Sequence, residues 1–72
     1  MKSIDDGILN SLKYSLKLIE SVQTTLRSES DIFYSAEDNC RGNIRYDAAE
    51  SLNSIIDSLH NKIDYLSIAF TK

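Results

Sequence analysis

The chain has no proline and no tryptophan, a single cysteine, a single histidine and only two glycines in 72 residues. Each shortage excludes something. With Gly7 and Gly42 as the only glycines and no proline, the breakers that a many-turned β fold needs are missing, whereas long helices suit such a composition. One cysteine, Cys40, rules out a disulfide within the chain. One histidine, His60, standing without a cysteine cluster, falls short of the donor set of a structural metal site. No catalytic, nucleotide-binding or metal-binding signature is present, so neither a cofactor nor an enzymatic activity is expected.

Uninterrupted apolar runs are also lacking. None approaches the ~18 residues of a membrane span. The opening stretch Met1 to Asp6 carries acids where a signal peptide has an apolar run. Together with the lone thiol, this leads to the expectation of a cytoplasmic protein. A basic stripe is missing too: the net charge of −3 argues against nucleic acid as a partner.

What the chain does have is a heptad pattern near its end. Ala49, Ile56, Ile63 and Phe70 fall in one column, and Leu52, Leu59 and Leu66 in the column three residues later. A helix with such a seam must bury it against another helix. The spacing therefore predicts a helix over about residues 44–71. An earlier amphipathic stretch predicts another over about residues 3–28, with Ser3 as its cap and Asp5 and Asp6 at its positive end. There Ile8, Leu12, Ser15, Ile19, Val22 and Leu26 follow alternating spacings of four and three. Leu9 and Leu16 lie beside that row and widen it. Gly7, one turn in, costs roughly 1 kcal/mol against alanine. Arg27 is placed near the negative terminus.

Residues 29–43 read as the connection. Ser28 to Asp31 is polar and suits fraying, and both Ser35 to Asp38 and Gly42-Asn43 carry capping signals. Ile32, Phe33 and Tyr34 are three bulky apolar residues in a row, and three adjacent side chains cannot all face one core. Two helices of matching length joined by a short connector fold back on each other. The expected fold is all-α: one domain over residues 1–72, an antiparallel two-helix hairpin dimerising into a four-helix bundle. The seam residues are Leu12, Ile19, Leu26, Leu52, Ile56, Leu59, Ile63, Leu66 and Phe70. A hairpin alone leaves half of each wide apolar arc in water. At ~25 cal/mol per Å², covering several hundred Å² more contributes on the order of 10 kcal/mol before entropic costs, which favours a homodimer.

Function is less legible. Phe33, Tyr34, Arg41, Arg45 and Tyr46 gather cations and aromatics at one end of the hairpin, a mixture enriched at interaction hot spots. They are the candidate partner-binding residues, and the ordinary alternative is that Phe33 and Tyr34 plug the end with the arginines as rim. The alternative function is a small RNA-binding regulator of helical-hairpin type, contacting RNA here by stacking and phosphate pairing, for which two arginines are few in a chain of net charge −3. Asp57, His60 and Asp64 share a helical face on which a metal or proton role competes with simple solvation. Glu50, Asp57 and Asp64 recur every seven residues as an acidic stripe, the polar face of a helix whose sign is wrong for a membrane surface. The serines Ser11, Ser15, Ser51, Ser54 and Ser58 read as close-approach points or as a solvated face. Cys40 beside Arg41 reads as a free thiol. The sequence thus points to a non-enzymatic interaction module whose partners are a second copy and another protein.

Overall fold

After Asp5 and Asp6 at its positive end, nothing breaks the first helix until Ala36. The computed structural model describes residues 4–71. It consists of α1 (Ile4–Ser35) and α2 (Asn39–Phe70), packed against each other as a hairpin with principal extents of 54 × 19 × 11 Å. The sequence-based boundaries are corrected here. The first helix continues through 29–35, the second begins at Asn39, and the connection shrinks to Ala36–Asp38. Ser3, expected to cap α1, lies outside the described residues.

The polar run that suggests fraying is held by partners on the other helix. Ser30 is 2% exposed and donates its hydroxyl to the Gly42 carbonyl at 3.0 Å. Glu29 accepts from Arg45 Nε at 2.8 Å. Arg27 is not at a helix terminus; it meets Glu50 of α2 at 3.8 Å.

The turn closes α1 with a Schellman motif. Asp38 N–H donates to the Phe33 carbonyl at 2.8 Å and Glu37 N–H to the Tyr34 carbonyl at 3.0 Å. Glu37 occupies the left-handed position with φ 60°, where glycine is usual. Asp38 then caps α2, its carboxylate accepting from Arg41 N–H at 3.2 Å. Of the two capping signals in the connection, the earlier one marks the boundary, through its last residue.

Burial along each helix repeats at alternating spacings of three and four. On α1 the covered positions are Leu9, Leu12, Leu16, Ile19, Gln23, Leu26, Ser30 and Phe33. On α2 they are Gly42, Arg45, Ala49, Leu52, Ile56, Leu59, Ile63, Leu66 and Phe70, with Ala48 and Ser67 half-buried beside this row. These are the a and d columns of an antiparallel two-helix coiled coil. All nine expected seam residues lie in it, but it is the seam between the two helices of one chain. The row on α1 is shifted from the expected one. Leu9, Leu16 and Gln23 face α2, whereas Ile8, Ser15 and Val22 are exposed. Among the described residues, the buried apolar side chains are Leu16, Ala49 and Ile63.

Candidate interaction surface

At the turn, the structure brings together three of the five residues expected to bind a partner. Phe33 sits in the seam, with the Arg45 guanidinium 4.3 Å and that of Arg41 5.7 Å from its ring centroid. Each arginine already has its carboxylate: Arg45 Nε binds Glu29 at 2.8 Å, and Arg41 Nε lies 3.4 Å from Asp38. Arg45 Nη1 also donates to the Arg41 carbonyl at 3.3 Å. Each cation thus has an acid of the same chain beside it, while the Arg41 side chain stays 67% exposed. Tyr34 lies on Gly42 and donates its hydroxyl to Asn43 Oδ1. Tyr46 is exposed and joins no recorded hydrogen bond or ring contact. The three adjacent apolar residues divide accordingly: Ile32 faces solvent, Phe33 the seam and Tyr34 the backbone of α2.

A hairpin of two helices has two broad faces, and here they differ in chemistry. One carries two cross-helix polar contacts and, within α2, an Asn53–Glu50 bond. Glu20 lies 3.8 Å from His60 Nε2, Arg27 meets Glu50, and Asn53 Nδ2 donates to Glu50 Oε2 at 3.1 Å. Lys13, Lys17, Asp57 and Asp64 fall in the same e and b columns. The opposite face is made by the c and g columns of both helices. On α1 it runs Ile4, Ile8, Ser11, Ser15, Leu18, Val22 and Thr25 without a charge. On α2 it runs Ile44, Ala48, Ser51, Ile55, Ser58, Lys62, Tyr65 and Ala69. The charges on this face are Lys62, Glu29 (held by Arg45) and, at the turn, Arg41 (held by Asp38).

Twelve large apolar residues are exposed among those described, and eight of them lie on this face, which is poor in charge. Val22 is 53% and Ile55 46% exposed. A contiguous face of that kind is larger than scattered surface hydrophobics explain. On α2 the sequence shows part of this face, since Ala48, Ile55 and Ala69 form an apolar column beside the seam; on α1 the row through Ile8 and Val22 merges with the seam. The signal available was the second column pair, displaced by one residue from the seam and equally regular.

Other candidate sites resolve into ordinary contacts. His60 is directed to Glu20 on α1, so it is paired across the hairpin and not only framed by Asp57 and Asp64. Among the described residues no group of three His, Cys, Asp or Glu side chains is placed to hold a metal ion. Ser51 Oγ bonds back to the Asp47 carbonyl at 2.8 Å and Ser54 Oγ to that of Ser51 at 3.5 Å. Cys40 is an exposed free thiol on the first turn of α2. No helix of the described residues is long and apolar enough to cross a membrane. Comparison with protein-family models, with curated proteins and with solved structures gave no match.

Proposed function

We propose that the chain is a non-enzymatic, self-associating interaction module: two hairpins lay their charge-poor faces together as a four-helix bundle. The observation that carries this reading is the segregation of chemistry between the two broad faces. One keeps the Arg27–Glu50 and Glu20–His60 contacts and the acidic stripe. The other sets Ile8, Leu18, Val22, Ile55 and Tyr65 in water alongside small hydroxyl and alanine residues. Alternating large and small side chains at helical spacing supply the ridges and grooves that helix packing needs.

Size supports a second copy as occupant. A face 54 Å by 19 Å offers on the order of 1,000 Å² per subunit, so a symmetric pair reaches the size of a stable interface. Among the described residues of the hairpin three apolar side chains are buried, and small chains gain stability by assembly. In the bundle the charged faces and the Phe33–Arg45 turn stay outside, where another protein meets them. The cytoplasm suits the free thiol.

Sedimentation equilibrium tests the reading. The expected mass is twice 8.1 kDa for the native chain. Val22→Glu and Ile55→Glu should give monomers that retain helicity, because both positions are exposed in the single hairpin. A native chain of monomeric mass at tens of micromolar overturns the bundle.

A further inference from the structure

The charge-poor face also carries information about orientation. Lys62 is its one lysine, and its ammonium lies 5.8 Å from the ring centroid of Tyr65 on the same face. Glu29 is its one acid. The carboxylate uses Oε1 for Arg45, its other oxygen takes part in no recorded bond, and the side chain is 45% exposed. The two charges sit on opposite sides of the rod's middle, where Ile19 and Ile56 meet in the seam register. Lys62 is about 9 Å towards the open end, and Glu29 about 15 Å towards the turn.

Two hairpins stacked face to face by a two-fold axis have two arrangements. With the axis along the rod, both turns lie at one end. The two Lys62 side chains then enter the interface at the same level, with each Glu29 about 24 Å away along the rod. Like charges at one level in an otherwise apolar interface are strongly unfavourable. With the axis across the rod, the turns lie at opposite ends. Each Lys62 then comes to within about 6 Å of the level of Glu29 of the second copy, well inside the reach of a lysine side chain.

Resting on the self-association proposed above, we infer that the two copies pack antiparallel, turns at opposite ends, with Lys62 of each copy paired to Glu29 of the other. Specificity then comes from one pair of charges used twice, while the apolar columns supply the adhesion. The free oxygen of Glu29 is the acceptor, and its bond to Arg45 holds the carboxylate in place for the incoming lysine.

The chain holds its own probe. Cys40 is the only cysteine, is exposed, and lies beside the turn. A nitroxide on Cys40 of the full-length native chain reports the separation of the two turns by double electron–electron resonance. The expected distance is about 50 Å, close to the 54 Å length of the rod. A distance below about 30 Å, the breadth of two stacked helices with their labels, overturns the antiparallel arrangement while leaving the dimer intact. Absence of any dipolar signal from a chain of monomeric mass overturns the self-association itself. Lys62→Glu gives an independent readout. Antiparallel packing predicts association weakened roughly tenfold at low salt, because the new acid meets Glu29. Unchanged association is the parallel result, in which one like-charge pair replaces another, and it too overturns the inference.

Discussion

The side-chain amide of Gln23 crosses the seam and donates to the carbonyl of Ala49 at 2.8 Å, in a layer where every neighbouring position is apolar or small. The same nitrogen donates to Asn53 Oδ1 at 2.7 Å, and Asn53 passes the chain of bonds to Glu50 and thence to Arg27. Gln23 is 8% exposed and satisfied, so it is no defect. A buried polar group in a heptad seam fixes register at a cost in stability. Sliding α1 by one turn strands this amide opposite apolar side chains, at a cost of roughly 1–3 kcal/mol.

Gln23→Leu should therefore raise the midpoint of thermal unfolding or leave it unchanged, while broadening the population of registers. Size-exclusion chromatography with light scattering and the dispersion of amide resonances are the measurements. A variant that loses more than about 2 kcal/mol yet keeps one species would show that the amide acts as ordinary packing and not as a register device.

The turn offers a second test. Glu37 is in the left-handed region, which costs a residue with a side chain about 1–2 kcal/mol relative to glycine. Its backbone N–H is used in the Schellman motif, so the conformation is imposed by the helix end. Glu37→Gly should stabilise the hairpin by up to about 1 kcal/mol, the relief of strain being partly offset by the extra freedom glycine gives the unfolded chain. Chemical denaturation checks it, and a loss of stability would mean that the Glu37 side chain contributes something beyond this geometry.

Gly42 and Gly7 form a contrasting pair. A Cβ at Gly7 meets nothing within 4 Å, so Gly7→Ala should gain roughly 1 kcal/mol from helix propensity alone. A Cβ at Gly42 would lie 2.8 Å from Cδ1 and Cε1 of Tyr34 and 3.1 Å from its Cγ. The whole ring must shift, since the contact reaches its root. Gly42→Ala should therefore destabilise by about 1 kcal/mol or more despite its propensity gain. In a Tyr34→Ala background the same change should stabilise. That reversal of sign is a double-mutant coupling, and additive effects would refute the account of Tyr34 lying on α2.

How much of this could be read from the residues themselves depended on where each side chain finds its partner. The α2 seam from Ala49 to Phe70 was legible because isoleucine and leucine mark it at every turn. On α1 the same reading chose a row through Ile8, Ser15 and Val22, since Gln23 and Ser30 occupy seam positions and blur the apolar period. Leu12, Ile19 and Leu26 belong to both rows and hid the error. The long connection had the same origin. Glu29 and Ser30 look like frayed polar residues until Arg45 and the Gly42 carbonyl are supplied from the other helix. A glutamate in the left-handed turn position leaves no signature at all, and the capping signal at Ser35 to Asp38 competes with that at Gly42-Asn43, so the sequence alone starts α2 too late. The aromatic–arginine cluster was recognised as a group, but its carboxylates come from Glu29 and Asp38, and only their placement shows each arginine to have an acid of the same chain beside it.

The seam and the charge-poor face make different demands, and one substitution in each separates them. Leu59 lies in the d column of α2, in the register that sets it opposite Leu16, which is 7% exposed. Leu59→Asp puts a carboxylate into the seam between the helices, at the level of Leu16. Burial of an unpaired charge exceeds what so small a hairpin can absorb, so helicity and dimer mass should disappear together. Ile55→Glu changes a residue four positions earlier, on the open face. It should abolish the proposed dimer and leave circular dichroism at 222 nm near the native value, measured at a temperature well below the midpoint. If Leu59→Asp kept full helicity, the division of α2 into an inward and an outward apolar column would be wrong.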